Sequence, residues 1–398
     1  MADERFEAKR AKDDEFYTQF HDIEKEMNAY LDFNPDAFKG KTVLLPCDDP
    51  EWSNFTKFFA QKFEALGIKK LISTSYAPNS KPKDIPYQPT LFELESPEFD
   101  EDKTQSSGKI FTLTQDKTGD GVINVEDLQW SYLEGDGDFR SAEIRALRDE
   151  ADIIITNPPF SLFREFLAWL VEADKHFAII GNMNAINYKE VFPLIQENRL
   201  WLGASIHSGD REFQVPHSYT RNPAAARVDE EGNRFIRVPG IRWFANIDHG
   251  LRHQELSLMS ESDNIKFSKH KEVKGHGYKK YDNYDAIEVP FTDAIPSDFA
   301  GVMGVPISFL SKYNPDQFEI LGSTQRGCHD QVPDTKKYDN YREMKPDGTP
   351  TGSTGGKTNE NPNLAGNDGK KNYFIDESGH TVQSAYSRIF IRHRKPSK

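Results

Sequence analysis

The sequence has few cysteines and no long hydrophobic run. Its 398 residues contain two cysteines, Cys47 and Cys328, which argues against a disulfide framework or a thiolate metal site and fits a reducing cytoplasm. No apolar segment reaches membrane-spanning length, and the charged N-terminus at 1–14 is unlike a signal peptide. We therefore expect a cytoplasmic protein without a membrane partner.

The sequence also lacks an excess of positive charge. Its net charge of -14 argues against binding nucleic acid by bulk attraction, so a nucleic-acid partner would require local basic surface. Residues 266–280 contain six lysines and two histidines, and 388–395 alternate basic with apolar residues. Both segments fit contacts to phosphate, and a solvated lysine face is the alternative interpretation.

The most informative segment is DIIITNPPF at 152–160. Its β-branched first half predicts a buried parallel strand that ends at the carboxyl edge of a sheet, where open α/β sheets bind ligands. Pro158 and Pro159 then fix the backbone and remove two N–H donors. The side-chain amide of Asn157, the carbonyl of Pro158 and the ring of Phe160 are thereby presented together at this edge.

This set of groups suits the methylation of an exocyclic amine. The amine of adenine is a poor nucleophile because its lone pair is delocalised into the ring. Acceptor oxygens on Asn157 and Pro158 could hold both amino hydrogens, and Phe160 could stack on a base that has left the helix. The alternative is a turn with a core phenylalanine, but the strand before it and the helix after it favour the functional interpretation.

Residues 42–76 predict a strand, an aromatic-rich helix closed by Gly67, and a second strand. The first turn of this unit holds Asp48 and Asp49 in place of a glycine-rich phosphate loop. Two adjacent carboxylates would repel a phosphate and favour a cationic ammonium or sulfonium ligand. An N-cap aspartate followed by Pro50 is the alternative, and it explains one carboxylate but not both.

Two glycine-containing loops precede the central strand. At 134–141, Asp138 and Phe139 offer an acceptor and a ring that suit a purine, and a plain loop capped by Ser141 is equally consistent. At 116–127, oxygen side chains have the spacing of a calcium loop, but the last ligand is an aspartate and no helix precedes it. We expect a glycine-rich turn without metal there, with calcium binding as the alternative.

The alternation of strands and helices over 42–203 predicts an α/β fold with a doubly wound, mostly parallel sheet. An amphipathic helix is predicted from Asp13 to Leu31. The predicted divisions are a flexible arm at 1–12, a catalytic domain at 13–203 with an insertion at about 77–134, and a C-terminal region at 204–398 with remaining sheet elements and a flexible loop at about 345–372. A hairpin on the rim of the sheet is predicted within 77–115.

Together these motifs resemble the EcoRI-type adenine-specific DNA methyltransferases. They follow the family's order over most of 13–245, and jointly they are highly specific. The motifs are DEFYTQ at 14–19, CDDP at 47–50, SNF at 53–55, GDGDFRS at 135–141, TNPPFSLFRE at 156–165, GN at 181–182 and LWLG at 200–203.

The resemblance implies S-adenosylmethionine as methyl donor and transfer to the 6-amino group of a flipped adenine in double-stranded DNA. It implies a Rossmann-like methyltransferase sheet and a C-terminal target-recognition region, and it allows a cognate restriction endonuclease as partner. A flipped-base pocket requires only a monomer, which is the expected state. The implied catalytic residues are Asn157, Pro158, Pro159 and Phe160. The implied cofactor-binding residues are Phe16, Tyr17, Thr18, Cys47, Asp48, Asp49, Pro50, Asn54, Ser75, Tyr76, Asp138 and Phe139.

By the same resemblance, residues 16–18 flank the methionine end of the donor, Asp48 takes its ammonium, and Asp138 with Phe139 clamps its adenine. The acidic residue expected to hold the ribose after the second strand is not evident, because Ser75 and Tyr76 stand there.

Two alternatives remain open for the function. The Asn-Pro-Pro motif with an aromatic residue also serves enzymes that methylate protein glutamine or RNA. A degenerate methyltransferase fold that only binds DNA would fit the missing glycine-rich loop, although its catalytic motif is intact.

Overall fold

The protein folds into two compact units, as seen in a computed structural model. The structure describes residues 17–48, 53–77, 99–207, 209–215, 226–324, 331–332, 335–354, 358–359 and 361–396. The first unit comprises 1–185 with 200–250, and the second comprises 186–199 with 251–398. The first unit extends past the predicted boundary at residue 203, and strands at 200–250, where remaining sheet elements were expected, pair within this unit.

The first unit contains five helices and twelve strands among its described residues. The helices are α1 (Phe20–Phe33), α2 (Asn54–Gln61), α3 (Glu101–Ser106), α4 (Ala142–Glu150) and α5 (Phe163–Glu172). The strands are β1 (Tyr17–Thr18), β2 (Thr42–Leu45), β3 (Lys70–Thr74), β4 (Lys109–Leu113), β5 (Gln129–Tyr132), β6 (Ile153–Thr156), β7 (His176–Asn182), β8 (Trp201–Leu202), β9 (Arg211–Val215), β10 (Arg227–Val228), β11 (Arg234–Val238) and β12 (Ile241–Ala245).

An eight-stranded sheet in the order β5-β4-β3-β2-β6-β7-β12-β8 forms the centre of this unit. The four middle strands β3, β2, β6 and β7 pair in parallel. The flanking pairs, β3 with β4, β4 with β5, β7 with β12 and β12 with β8, are antiparallel. The fold is therefore mixed α/β, with a parallel centre and antiparallel margins.

The parallel centre forms because its strands are apolar on both faces. Every residue of β2 and β6 is buried, and helices cover the sheet through aromatic and aliphatic stripes. Phe55, Phe58 and Phe59 on α2 are each at most 2% exposed. None of the described helices is long and apolar enough to span a membrane.

The predicted helix from Asp13 to Leu31 begins later than expected. Residues 13–16 lie outside the described part of the chain, and Tyr17 and Thr18 are extended rather than helical. They pair antiparallel with Gln214 and Phe213 of β9, about two hundred residues further along the chain. Together, β1, β9, β11 and β10 form a second, four-stranded sheet.

The strand expected at 109–113 forms at the margin of the large sheet, but its hairpin partner lies beyond the predicted segment 77–115. Strands β4 and β5 pair with Lys109 opposite Tyr132, and they form one margin of the large sheet. The part of the insertion at 78–98 lies outside the described residues.

The described part of the second unit contains two helices and nine strands. They are α6 (Phe192–Gln196), α7 (Glu261–Phe267), β13 (Ala286–Glu288), β14 (Val302–Pro306), β15 (Phe318–Ser323), β16 (Arg342–Met344), β17 (Pro350–Thr354), β18 (Asn363–Ala365), β19 (Tyr373–Ile375), β20 (Thr381–Ser384) and β21 (Arg388–His393). One sheet has the order β13-β14-β21-β15, and the other has the order β17-β16-β19-β20-β18.

One prediction about this region is wrong, and another holds in part. The predicted flexible loop at 345–372 contains β17 and β18 of the five-stranded sheet. Its polar residues bond to one another: the buried Asn363 donates through Nδ2 to the Thr358 carbonyl at 2.6 Å. The predicted strand at the C-terminus is confirmed as β21. Its basic face is only partly exposed, because Arg388 and His393 are 7% and 6% exposed whereas Arg392 is exposed.

Candidate functional site

The sequence-predicted residues gather at one edge of the large sheet. Because β3, β2, β6 and β7 run parallel and adjacent, their carboxyl ends share an edge. Ser75 follows β3, Asp48 lies three residues after β2, and Asn157 follows β6. Strands lie about 4.8 Å apart, so groups at the ends of neighbouring strands can act on one ligand.

The Pro-Pro turn is fixed to the neighbouring strand end. Thr156, the last residue of β6, donates through Oγ1 to the Pro46 carbonyl at 2.7 Å. Pro158 is buried, and Pro159 is extended at φ -53° and ψ 125° before a 3₁₀ turn at Phe160–Leu162. This arrangement holds Asn157 at the edge of the sheet between two constrained segments.

The Phe160 ring is partly buried and packs against the main hydrophobic core. It therefore combines the two interpretations that its sequence allowed, because one part of the side chain packs inside and the rest remains accessible.

Asp48 is held at the start of α2. It is 7% exposed, and its Oδ1 accepts from Ser53 Oγ at 2.7 Å. Ser53 also caps the helix, since its Oγ accepts from Phe55 N at 3.1 Å. The preceding Cys47 is the turn residue at φ +64°, a conformation that non-glycine residues rarely adopt. Asp49 and Pro50 lie outside the described residues.

The short strand β1 approaches the same helix. Asn54 Nδ2 donates to the Thr18 carbonyl at 2.8 Å, which places Thr18 beside the start of α2. Thr18 is 4% exposed, and its Oγ1 has no hydrogen-bond partner among the described residues. A buried hydroxyl without a partner costs free energy, so a polar ligand group at this position would stabilise it. Tyr17 is half-buried beside it, and Phe16 lies outside the described residues.

The loop with Asp138 packs tightly against the end of β3. Gly137 has φ +88°, and a Cβ there would lie 2.3 Å from the Ser75 carbonyl oxygen, so only glycine fits. Ala77 N donates to the Asp136 carbonyl at 2.8 Å, and Ser75 Oγ accepts from Lys109 N at 3.2 Å. Ser75 thus fixes the backbone at this end of the sheet.

Asp138 lies in a polar network that its sequence did not reveal. Arg140 forms two bonds with it, from Nε to Oδ1 at 2.9 Å and from Nη2 to Oδ2 at 2.6 Å. The Arg140 backbone N donates to Oδ1 at 2.8 Å, and the Tyr76 hydroxyl donates to Oδ2 at 3.3 Å. Each carboxylate oxygen therefore has two donors, and the long bond from Tyr76 is the easiest for a ligand to replace.

The charges of this network are stable at neutral pH. Burial alone would raise the pKa of Asp138, but the hydrogen bonds from Arg140 outweigh it and leave the pKa lowered. Burial and the nearby Asp138 carboxylate raise the pKa of Tyr76. Asp138 thus remains an anion, and the Tyr76 hydroxyl keeps its proton.

The Phe139 ring is not placed as the predicted adenine clamp requires. Its side chain is 3% exposed, and its ring packs edge to face on Phe166 and Trp169 at 5.1 Å and 5.8 Å. The ring is part of the aromatic packing around α5, so its contribution to a ligand site at this position would come from its backbone.

Some structural contributors had no individual role assigned from the sequence. Arg140 stands two residues after Asp138, and Ser53 precedes an aromatic helix, so each carried a signal at short spacing. Glu26 carried none. It is fully buried on α1 and accepts from Ala204 N at 2.9 Å and Ser205 N at 2.7 Å, which fixes the chain after β8.

The glycine-rich segment at 116–127 is an internally bonded turn. Asp116 accepts from Gly119 N at 2.6 Å, and Asp127 accepts from Lys117 N and Asn124 N at 2.8 and 2.9 Å. These two carboxylates, which the calcium alternative would use as ligands, thus bond to backbone N–H groups. Among the described residues, no group of three or more His, Cys, Asp or Glu side chains is arranged to hold a metal ion.

The chain is similar to known proteins over most of its length. A family model described as adenine-specific methyltransferase EcoRI matches residues 5–394. Over 314 residues the chain is 43% identical to Type II methyltransferase M.EcoRI of Escherichia coli, which covers 79% of this chain and 87% of that protein.

Two Mycoplasma proteins are also similar. Type II methyltransferase M.MpnI of Mycoplasma pneumoniae is 35% identical over 316 residues, covering 79% of this chain and 83% of that protein. Type II methyltransferase M.MgeORF184P of Mycoplasma genitalium is 33% identical over 316 residues, with coverages of 79% and 84%. No solved structure gives a significant match.

Proposed function

The chain belongs to the EcoRI family of adenine-specific methyltransferases, and from this premise we propose how its site acts. The protein is a DNA adenine methyltransferase that modifies the 6-amino group of adenine in double-stranded DNA. The names of its relatives as Type II methyltransferases support a role in restriction-modification. The observation that carries the proposal is the fixed position of Asn157 and Pro158 at the carboxyl edge of the sheet, on the strand next to Asp48.

The methyl donor in this proposal is S-adenosylmethionine, which supplies a methyl group already activated by its sulfonium. The residues at the edge of the sheet fit its polar groups. The buried Asp48 carboxylate would accept hydrogen bonds from the ammonium. The Thr18 hydroxyl, which has no partner among the described residues, would bond to the methionine end. Asp138 would accept a hydrogen bond from a purine amino group, which would replace the long hydrogen bond from the Tyr76 hydroxyl.

Asn157 and Pro158 act on the adenine in this proposal. The side-chain oxygen of Asn157 and the carbonyl of Pro158 would accept the two amino hydrogens, which favours a tetrahedral nitrogen with its lone pair free to react. Phe160 would stack on the flipped base with the accessible part of its ring. Positioning provides most of the rate, and no base of raised pKa is required, because the amine loses its proton after it becomes cationic.

The finer description of the fold is part of the same proposal. The parallel centre β3-β2-β6-β7 with its ligand edge supports a Rossmann-like methyltransferase sheet. The second unit, with its two separate sheets, would contain the target-recognition region.

The test is transfer of labelled methyl from S-adenosylmethionine to unmethylated double-stranded DNA, followed by nucleoside analysis. The label should appear in 6-methyladenine. Asn157→Ala should nearly abolish transfer with donor binding close to that of the parent, and Asn157→Asp, which keeps an acceptor oxygen, should retain more activity. Asn34→Ala is the matched control, since it removes an exposed amide just after α1, away from the carboxyl edge of the sheet.

The other outcomes select the alternatives. Normal donor binding without label in DNA would favour a protein or RNA acceptor. No donor binding at all would favour a DNA-binding relic, and loss of donor binding in Asn157→Ala alone would mean that the site is misplaced.

A further inference from the structure

The second unit presents a concentrated positive charge at 266–280, here called the lysine segment. Six lysines against one glutamate give a side-chain charge of +5 (6 - 1), in a chain whose net charge is -14. Such a concentration in an acidic protein requires a physical reason, because like charges at short range repel one another.

Five of the six lysines have no ionic partner among the described residues. Lys269 pairs with Asp293 at 2.7 Å. The others are exposed and form no ion pair with any described residue: Lys266, Lys271, Lys274, Lys279 and Lys280. An exposed ion pair would partly offset the repulsion, so the fold leaves these charges available to an external anion.

The backbone that carries them is anchored. Val273 is fully buried, and the His270 ring stacks on Phe291 with centroids 3.7 Å apart. The Tyr278 hydroxyl donates to the Ala294 carbonyl. The ammonium groups therefore project from a fixed support, which lowers the entropy cost of binding an extended anion.

The second basic segment, 388–395, exposes fewer basic side chains than the lysine segment. Arg388 and His393 are buried, and Arg392 pairs with Glu319 at 2.8 Å. Arg392 does line a cavity of about 140 Å³ together with Lys280, so the exposed part of β21 adjoins one end of the lysine segment.

We propose that the lysine segment binds the phosphate backbone of duplex DNA. This inference rests on the proposed function and assigns one of its contact surfaces. Ammonium groups recognise phosphate as point charges and carry no base information. The segment therefore contributes affinity and leaves the discrimination between DNA sequences unchanged.

The test compares three triple variants by the salt dependence of DNA affinity. Lys266→Gln/Lys271→Gln/Lys274→Gln removes three charges of the segment. Lys25→Gln/Lys62→Gln/Lys69→Gln removes three exposed lysines of the first unit that also form no ion pair with a described residue. Lys266→Arg/Lys271→Arg/Lys274→Arg keeps the charge.

Each lost phosphate contact lowers the slope of log K against log salt by about 0.9, so the first variant should have a slope shallower by about 3. Its dissociation constant at low salt should rise about tenfold or more, equally for cognate and non-cognate duplexes. Its kcat at saturating DNA should equal that of the parent. The control and the arginine variant should keep the parent's slope.

A parent-like slope in the first variant, or the same change in the control, would overturn the inference. A loss confined to cognate DNA would overturn it too, because it would indicate base readout. Failure of the proposed function would give a different result. In that case the parent protein itself would transfer no methyl group to DNA at any DNA concentration.

Discussion

Replacing Gly137 by alanine should loosen the loop that carries Asp138. The new Cβ would lie 2.3 Å from the Ser75 carbonyl oxygen, and ordinary contact begins at 3.4 Å, so the two backbones must separate by about 1.1 Å (3.4 - 2.3). The bond from Ala77 N to the Asp136 carbonyl, now 2.8 Å, would stretch to about 3.9 Å (2.8 + 1.1) and break.

The loss of stability has two contributions, the backbone strain at residue 137 and the broken hydrogen bond. The left-handed conformation costs a non-glycine residue about 1–2 kcal/mol, and the lost hydrogen bond costs about 1 kcal/mol. The free energy of unfolding should therefore fall by about 2–3 kcal/mol. Because Asp138 moves with the loop, the dissociation constant for S-adenosylmethionine should rise about tenfold, which is about 1.4 kcal/mol.

Urea unfolding and calorimetric titration with the donor measure the two quantities. Gly119→Ala is the matched control, because Gly119 also has a positive φ, +76°, but open space around its Cβ position. That variant should lose about 1–2 kcal/mol of stability and bind the donor like the parent. Equal donor affinity in the Gly137 and Gly119 variants would refute the proposed role of the loop.

Two further predictions concern stability of the second unit. Burial lowers the pKa of His393, and its 2.8 Å bond to the Pro296 carbonyl offsets part of that effect. Its stabilising contribution should be complete above its ordinary pKa of 6.5 and be lost as pH falls through the lowered value. His393→Gln should remove this dependence in urea unfolding compared at about pH 7.5 and about pH 5.5. Arg388→Ala should cost about 3–5 kcal/mol, because it leaves the Glu288 carboxylate buried without its ion pair. The double variant that also has Glu288→Ala should lose less, and equal losses would contradict this.

Short-range signals in the sequence were sufficient to predict the elements at the centre of the site. The β-branched run at 153–156 predicted the central strand because side chains apolar on both faces require burial within a sheet. Ser141 predicted a helix start, and its Oγ indeed accepts from Ile144 N at 3.2 Å. The motifs together indicated the family that the comparisons then supported. These features depend on residues within one turn or strand of each other.

The tertiary structure alone decided how distant segments combine. Strand β1 pairs with β9, and β21 lies between β14 and β15, so a two-residue strand and a basic-looking strand gained partners that no periodicity predicts. Phe139 became a core residue because α5 packs on it. Strand pairing uses backbone groups common to all sequences, and burial depends on what covers a residue. The sequence by itself therefore determined the central strand and the motifs of the site, whereas long-range packing determined how distant strands pair and which side chains remain available for chemistry.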